Sequence, residues 1–93
     1  MKADPIQSRA AEVDRRVREL APQRASEIQF ENGGEGSVTW RRNEKWATLT
    51  LHDAGRLELM LHPASGVPDV LEILIDDADA VNMIAVPVAD HLK

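Results

Sequence analysis

The sequence predicts an α+β fold: an N-terminal helix, a largely antiparallel sheet of about five strands, and a C-terminal helix. Three observations predict it. Apolar and polar residues alternate between residues 37 and 62, which is the period of half-buried strands. Apolar residues before this stretch recur every three or four positions, as on an amphipathic helix. A similar stripe follows near the C-terminus. At 93 residues the chain suits a single small domain, 1–93.

The first helix is predicted from about Pro5 to Ala21. Asp4 is a capping residue, and proline is favoured at the first helical position. The residue before Pro22 is disfavoured in the helical conformation, so the helix ends there. Packing of the apolar stripe on the sheet is the favoured interpretation, and a dimer seam is the alternative. The stripe comprises Ile6, Ala10, Val13, Val17 and Leu20.

A short strand is predicted over 27–31, because Ile28 and Phe30 alternate with polar residues. The glycine-rich segment 32–36 follows. It lacks the Lys-Ser/Thr of a phosphate-binding loop and does not open a helix, so it is interpreted as a turn.

The register of the next three strands follows from their loop lengths. A three-residue loop, Asp53-Ala54-Gly55, with glycine in the left-handed position, pairs Leu49 with Leu59. A two-residue loop at Asn43-Glu44 pairs Trp40 with Ala47. Asn-Glu is a weak turn signal, so a longer loop is the alternative here. The register places Val38, Trp40, Leu49, Leu51, Leu57, Leu59 and Leu61 on one face, which at least one helix should cover.

The sequence from residue 67 onwards predicts one more strand and the last helix. Residues 67–75 are apolar on both faces over part of their length, which is typical of a central strand or one covered on both sides. Asp77 is a candidate cap for a helix with the stripe Val81, Ile84, Ala85, Val88 and Leu92. The β-branched residues favour a strand instead, and Pro87 disfavours a continuous helix. A helix interrupted near Pro87 is the preferred interpretation.

The opposite face of the predicted hairpins carries one exceptional residue, Trp46. It lies in a row with Arg41 and His62, beside Met60 in the next row. Arg41 stacking on the indole would be worth roughly 0.5–1 kcal/mol. Alternatively, Trp46 anchors a binding patch, because Trp and Arg are enriched at interface hot spots. A third interpretation is that another element covers this face.

Composition narrows the possible functions. The chain has no cysteine, which excludes disulfides and thiolate chemistry, and its net charge is −5. Residues 46–93 hold two basic side chains against eight acidic ones, an asymmetry that steers a basic partner or simply aids solubility. No apolar run approaches a membrane span of ~20 residues, and the N-terminus lacks the apolar stretch of a signal peptide. A cytoplasmic location without membrane association is the expectation.

No motif points to a reaction or a cofactor. On the predicted hairpin His52 and His62 lie roughly 20 Å apart, too far to share a metal, and His91 has no predicted partner. Asp76, Asp77 and Asp79 lack the pattern of a calcium loop. The serines have no adjacent base. Arginines interleaved with acids in an acidic chain do not favour nucleic acid. The sequence therefore predicts no catalytic residue, no metal and no cofactor.

These observations favour a non-catalytic protein-binding module of the inhibitor, immunity-type or adaptor kind. Its expected contact residues are Arg41, Trp46, Met60 and His62 on the sheet face and Asp76, Asp77 and Asp79 in the acidic half. The alternative is a small homo-oligomeric structural or ligand-binding domain, in which the sheet face or first helix self-associates. A small enzyme ranks third.

Overall fold

Two helices pack on one face of a five-stranded antiparallel sheet in the computed structural model, which describes residues 5–32, 36–52 and 55–93. The predicted α+β fold is confirmed. Each strand pairs with the next strand in the chain, in the order β1-β2-β3-β4-β5. The elements are α1 (Pro5–Leu20), a 3-10 turn (Ala25–Glu27), β1 (Gln29–Asn32), β2 (Ser37–Arg42), β3 (Lys45–Leu51), β4 (Arg56–His62), β5 (Asp69–Leu74) and α2 (Ala80–Leu92).

The predicted register of β2, β3 and β4 is confirmed. Trp40 lies opposite Ala47, and Leu49 lies opposite Leu59. Arg42 pairs with Lys45, so the loop between them has two residues and the longer alternative is wrong. Asn43 has a φ of 57°, in the left-handed region that asparagine enters more readily than most residues.

Some sequence-based predictions fall on residues outside the described ranges. These are the cap at Asp4, the central part of the glycine-rich segment (33–35), and Asp53 and Ala54 of the loop before β4. Gly55 is described, and its φ of 73° confirms the predicted left-handed glycine. The first strand begins two residues later than predicted, because the 3-10 turn occupies Ala25–Glu27.

Gly55→Ala is expected to destabilise the protein by about 1–2 kcal/mol. A Cβ at this position would lie 3.0 Å from Cγ2 of Ile75, in addition to the cost of positive φ. Gly36→Ala is the matched control, because its φ is 74° and the nearest atom to its Cβ, the Leu51 oxygen, is at 3.6 Å. Urea unfolding should show the larger loss for Gly55→Ala. Equal losses would mean that the Ile75 contact is relieved at no cost.

The core lies between the helices and one face of the sheet, here called the inner face. Ala10, Val13 and Val17 of α1 are fully buried in this core, so this part of the α1 stripe packs inside the domain, as favoured from the sequence. The buried inner-face residues are Val38, Trp40, Ala47, Leu49, Leu57, Leu59, Leu61 and Ile73. At ~25 cal/mol per Å² of apolar surface, burial of these side chains is the dominant stabilising contribution.

The C-terminal segment forms a helix, as preferred from the sequence, and the strand alternative is wrong. Its apolar residues bury at helical spacing against α1 and the sheet: Ala80, Ile84, Ala85, Val88, Ala89 and Leu92. The predicted interruption near Pro87 is also wrong, since α2 continues through it. The predicted cap at Asp77 is wrong, because the N-cap residue of α2 is Asp79. Asp77 lies in the turn before the helix, where its Oδ1 accepts a hydrogen bond from the backbone N–H of Asp79 at 2.9 Å.

β5 differs most from its prediction. It pairs with β4 alone and forms an edge of the sheet, where a central or doubly covered strand was expected. Val70 and Leu74 are 51% and 58% exposed. The apolar residues that suggested a covered strand thus face solvent, because both helices lie on the inner face.

Candidate functional site

The face of the sheet opposite the helices, here called the outer face, carries the predicted tryptophan row: Arg41, Trp46 and His62. Strand pairing brings the three residues together, with Trp46 between the other two. The rings of Trp46 and His62 stack with centroids 4.7 Å apart and planes 13° from parallel. The Arg41 guanidinium carbon lies 5.8 Å from the indole centroid. The indole thus contacts a cation on one side and an imidazole on the other.

Trp46 is partly exposed, and both helices pack on the opposite, inner face of the sheet. Neither helix therefore covers this face. The Arg41 contact falls within the ~6 Å range of a cation–π interaction. This contact favours the observed position of the indole.

The last turn of α2 is hydrogen-bonded to two of the strands that carry the tryptophan row. His91 of α2 donates a hydrogen bond from Nε2 to the backbone oxygen of His62 at 2.8 Å. No partner for His91 could be predicted from the sequence. Arg42 of β2 donates from Nη1 to the backbone oxygen of Leu92 at 3.2 Å. These two bonds tie the last turn of α2 to β4 and β2. The strands that carry the row are therefore connected to the helical layer at this end of the sheet.

Apolar side chains continue the outer face beside the tryptophan row. Met60 lies between Thr48 and Val70 in the next row of paired residues. Sequence reasoning missed Val70 as a surface residue, along with Leu74 two rows further along. The double-sided apolar pattern of residues 67–75 was the available signal, since it fits an exposed apolar strand as well as a covered one.

The acidic residues of the predicted site lie elsewhere. Asp76, Asp77 and Asp79 are exposed in the connection between β5 and α2. Ile75 bonds to Gly55 at the start of β4, whereas His62 is at its end. At ~3.3 Å per residue, the acidic connection and the tryptophan row are roughly 20 Å apart. They form two surfaces and not one.

Two further contacts between titratable side chains lie on the outer face. His52 Nε2 lies 3.4 Å from Oε1 of Glu58, and Arg56 Nη1 lies 4.0 Å from Oε1 of Glu72. The depression beside them has a volume of only about 100 Å³. A larger depression of about 360 Å³ lies between the ends of the helices, but neither a histidine nor a carboxylate side chain lines it. Within the described ranges, no three His, Asp or Glu side chains are grouped to hold a metal.

The arginines mostly contact acidic groups of the same chain. Arg18 bonds to Asp14 at 3.1 Å, and Arg24 bonds to Glu27 at 3.3 Å. The hydrogen bond from Arg24, assisted by the charge of Arg42, lowers the pKa of Glu27 below its ordinary value. These cations are therefore engaged in intramolecular pairs, whereas a nucleic-acid surface needs a continuous basic stripe.

Comparisons with known proteins give no match to a family model, a curated protein or a solved structure. No helix in the described ranges has the length and apolarity needed to cross a membrane. The fold and the site define only a class: a two-layer α+β domain whose open sheet face carries an aromatic and cationic row.

Proposed function

We propose that this protein is a non-catalytic protein-binding module, of the inhibitor, immunity-type or adaptor kind, that contacts its partner through the outer face of the sheet. The observation that carries the proposal is the tryptophan row, held in one arrangement and left uncovered by both helices.

The chemistry of this row suits protein recognition. Trp and Arg are the residue types most enriched among those that dominate binding energy, and such residues are effective when their neighbours exclude water around them. Met60 and Val70 provide an adjacent apolar rim. Arg41 and His62 already contact the Trp46 ring, which reduces the conformational freedom that Trp46 loses on binding.

The acidic connection supports a second, weaker role in the same function. Asp76, Asp77 and Asp79 are exposed and lie roughly 20 Å from the tryptophan row. At that distance they act on a basic partner by long-range attraction, which mainly raises the association rate. Association should therefore slow as salt concentration increases, while dissociation from the tryptophan row should change little.

Trp46→Ala tests the proposal. We expect it to weaken partner binding at least 30-fold, the equivalent of a hot spot of about 2 kcal/mol. Partners would be captured from host extract with the wild-type protein and quantified by mass spectrometry. The variant's affinity for the recovered partner would then be measured by calorimetry.

Val86→Ala is the matched control, because Val86 is an exposed apolar residue, 45% accessible, on α2. It should bind like the wild type. Trp46→Ala should retain the wild-type circular dichroism spectrum. Unchanged binding by folded Trp46→Ala would refute the proposal, and so would unfolding of the variant, which would make Trp46 a structural residue.

A further inference from the structure

The exposed apolar surface of this protein is concentrated on one sheet edge. Of the six large hydrophobic residues exposed in the described chain, four fall between residues 67 and 74. They are Val67, Val70, Leu71 and Leu74, exposed by 86%, 51%, 40% and 58%. Natural sheets commonly protect an edge with lysines, bulges or short strands, and an unprotected apolar edge invites pairing with another strand. The opposite edge, β1, has only four residues and presents Glu31.

The hydrogen-bonding phase of β5 identifies which backbone groups are available. Ile75 donates its N–H to Gly55 across the β4–β5 pair. In an antiparallel pair, alternate residues bond to the neighbouring strand and those between them point away. Leu71 and Ile73 therefore bond towards β4, and Val70, Glu72 and Leu74 direct N–H and C=O groups to the free edge.

We propose that this edge pairs with β5 of a second copy of the chain, in antiparallel orientation about a twofold axis at Glu72. This register brings the outward backbone groups of the two copies face to face. On the outer face, Val70 of each copy lies beside Leu74 of the other. On the inner face, Leu71 of each copy lies beside Ile73 of the other. The result is a continuous ten-stranded sheet.

The proposed register is the one that best matches apolar with apolar residues. Pairing requires that residues with outward backbone groups face each other, so the strands can shift only by steps of two residues. A shift in one direction places Glu72 opposite Val70 of the second copy, and a shift in the other direction places it opposite Leu74. Either shift also breaks both Val70–Leu74 pairs.

Glu72 is the unfavourable residue at the axis, where it meets its own copy. Like charges directly opposite each other in a sheet are destabilising. Within each copy, Arg56 lies 4.0 Å from Glu72 of the same chain and partly offsets this repulsion. A depression of about 160 Å³ lined by Arg56, Glu72, Ile73 and Leu74 opens at the same edge, where Val70 of the second copy would lie.

The size of this interface predicts its strength. One pair of short strands buries less than the ~1,200 Å² typical of stable complexes, so the dimer should be weak and concentration-dependent. The acidic residues near β5 repel their copies, so added salt should strengthen the dimer. Salt would instead weaken the pairing of β5 with a basic strand from another protein.

Sedimentation equilibrium of the full chain, from roughly 1 to 500 µM, tests the proposal. Leu74→Lys should weaken the dimer at least tenfold, because it places a charge against Val70 of the second copy. Val86→Lys is the control, since Val86 is 45% exposed on α2 and should leave the dimer unchanged. Glu72→Gln should tighten it several-fold by removing the repulsion at the axis.

Amide exchange followed by NMR supplies the second measurement. The amides of Val70, Glu72 and Leu74 should gain protection as concentration rises. A monomer throughout the concentration range would overturn the proposal. The expected partner of this edge would then be a strand from another protein. A dimer that survives Leu74→Lys would also overturn it. Trp46→Ala should dimerise normally, so this proposal and the protein-binding proposal fail or succeed separately.

Discussion

Trp40→Ala is expected to destabilise the protein by about 3–5 kcal/mol, the largest effect of any single substitution considered. Trp40 is completely buried and is the largest fully buried side chain in the described core. Its ring packs against Phe30 with centroids 5.1 Å apart. Its indole N–H donates to Oδ1 of Asp14 at 3.1 Å, which links β2 to α1. Truncation therefore leaves a cavity and removes a bond between the two layers.

The size of this loss matters because the whole domain has only about 5–15 kcal/mol of stability. Trp40→Ala should show a much lower urea midpoint, and in a marginal domain it should be partly unfolded in water. Trp40→Phe separates the two contributions, since it keeps most of the ring and loses the N–H. Asp14 retains its bond to Arg18, so we expect a cost of about 1–2 kcal/mol.

The stability losses of Trp40→Ala and Trp46→Ala should differ, and this difference tests the assignment of the inner and outer faces. Both residues are tryptophans in the central hairpins, but Trp40 faces the core and Trp46 faces solvent. Trp46→Ala should lower stability by only about 1 kcal/mol, mainly through the lost contact with Arg41. Equal losses at the two positions would contradict the assignment of inner and outer faces.

The register of the central strands could be predicted because two independent constraints agree. Loop length fixes which residues face each other, and a shift of one residue would move Leu49 and Leu59 from the core to solvent. The same reasoning placed Arg41, Trp46 and His62 in one row. Pairing between consecutive strands depends on the loop and on the alternation of a few neighbouring residues, so it can be predicted from the sequence.

The surroundings of each face were harder to predict. An apolar residue indicates that burial is favourable, but it does not show that another element is available to cover it. Val70 and Leu74 therefore suggested a covered strand, although both helices pack on the inner face. The sequence alone also did not give the distance between the acidic connection and the tryptophan row, which were predicted as two separate groups of contact residues. The error in β5 therefore concerns long-range placement, which the residue order of one strand does not determine.

Pro87→Ala is expected to stabilise the protein by about 2–3 kcal/mol, the second largest effect considered. Pro87 lies inside α2 and has no N–H to donate to the carbonyl oxygen of Met83, four residues earlier. Alanine would supply this donor and remove the ring from the preceding turn. The gain is reduced by the greater freedom that alanine gives to the unfolded chain. Thermal and urea unfolding would measure the difference.

Val86→Ala provides the comparison, because it changes the neighbouring exposed position without adding a backbone donor. It should alter stability by no more than about 0.5 kcal/mol through helix propensity. A similar small change for Pro87→Ala would mean that the surrounding turn accommodates the proline at little cost. The expected gain has a structural reason: α2 remains helical through Pro87 because Ile84, Ala85, Val88 and Leu92 bury together. Tertiary packing across both sides of the proline outweighs the lost hydrogen bond.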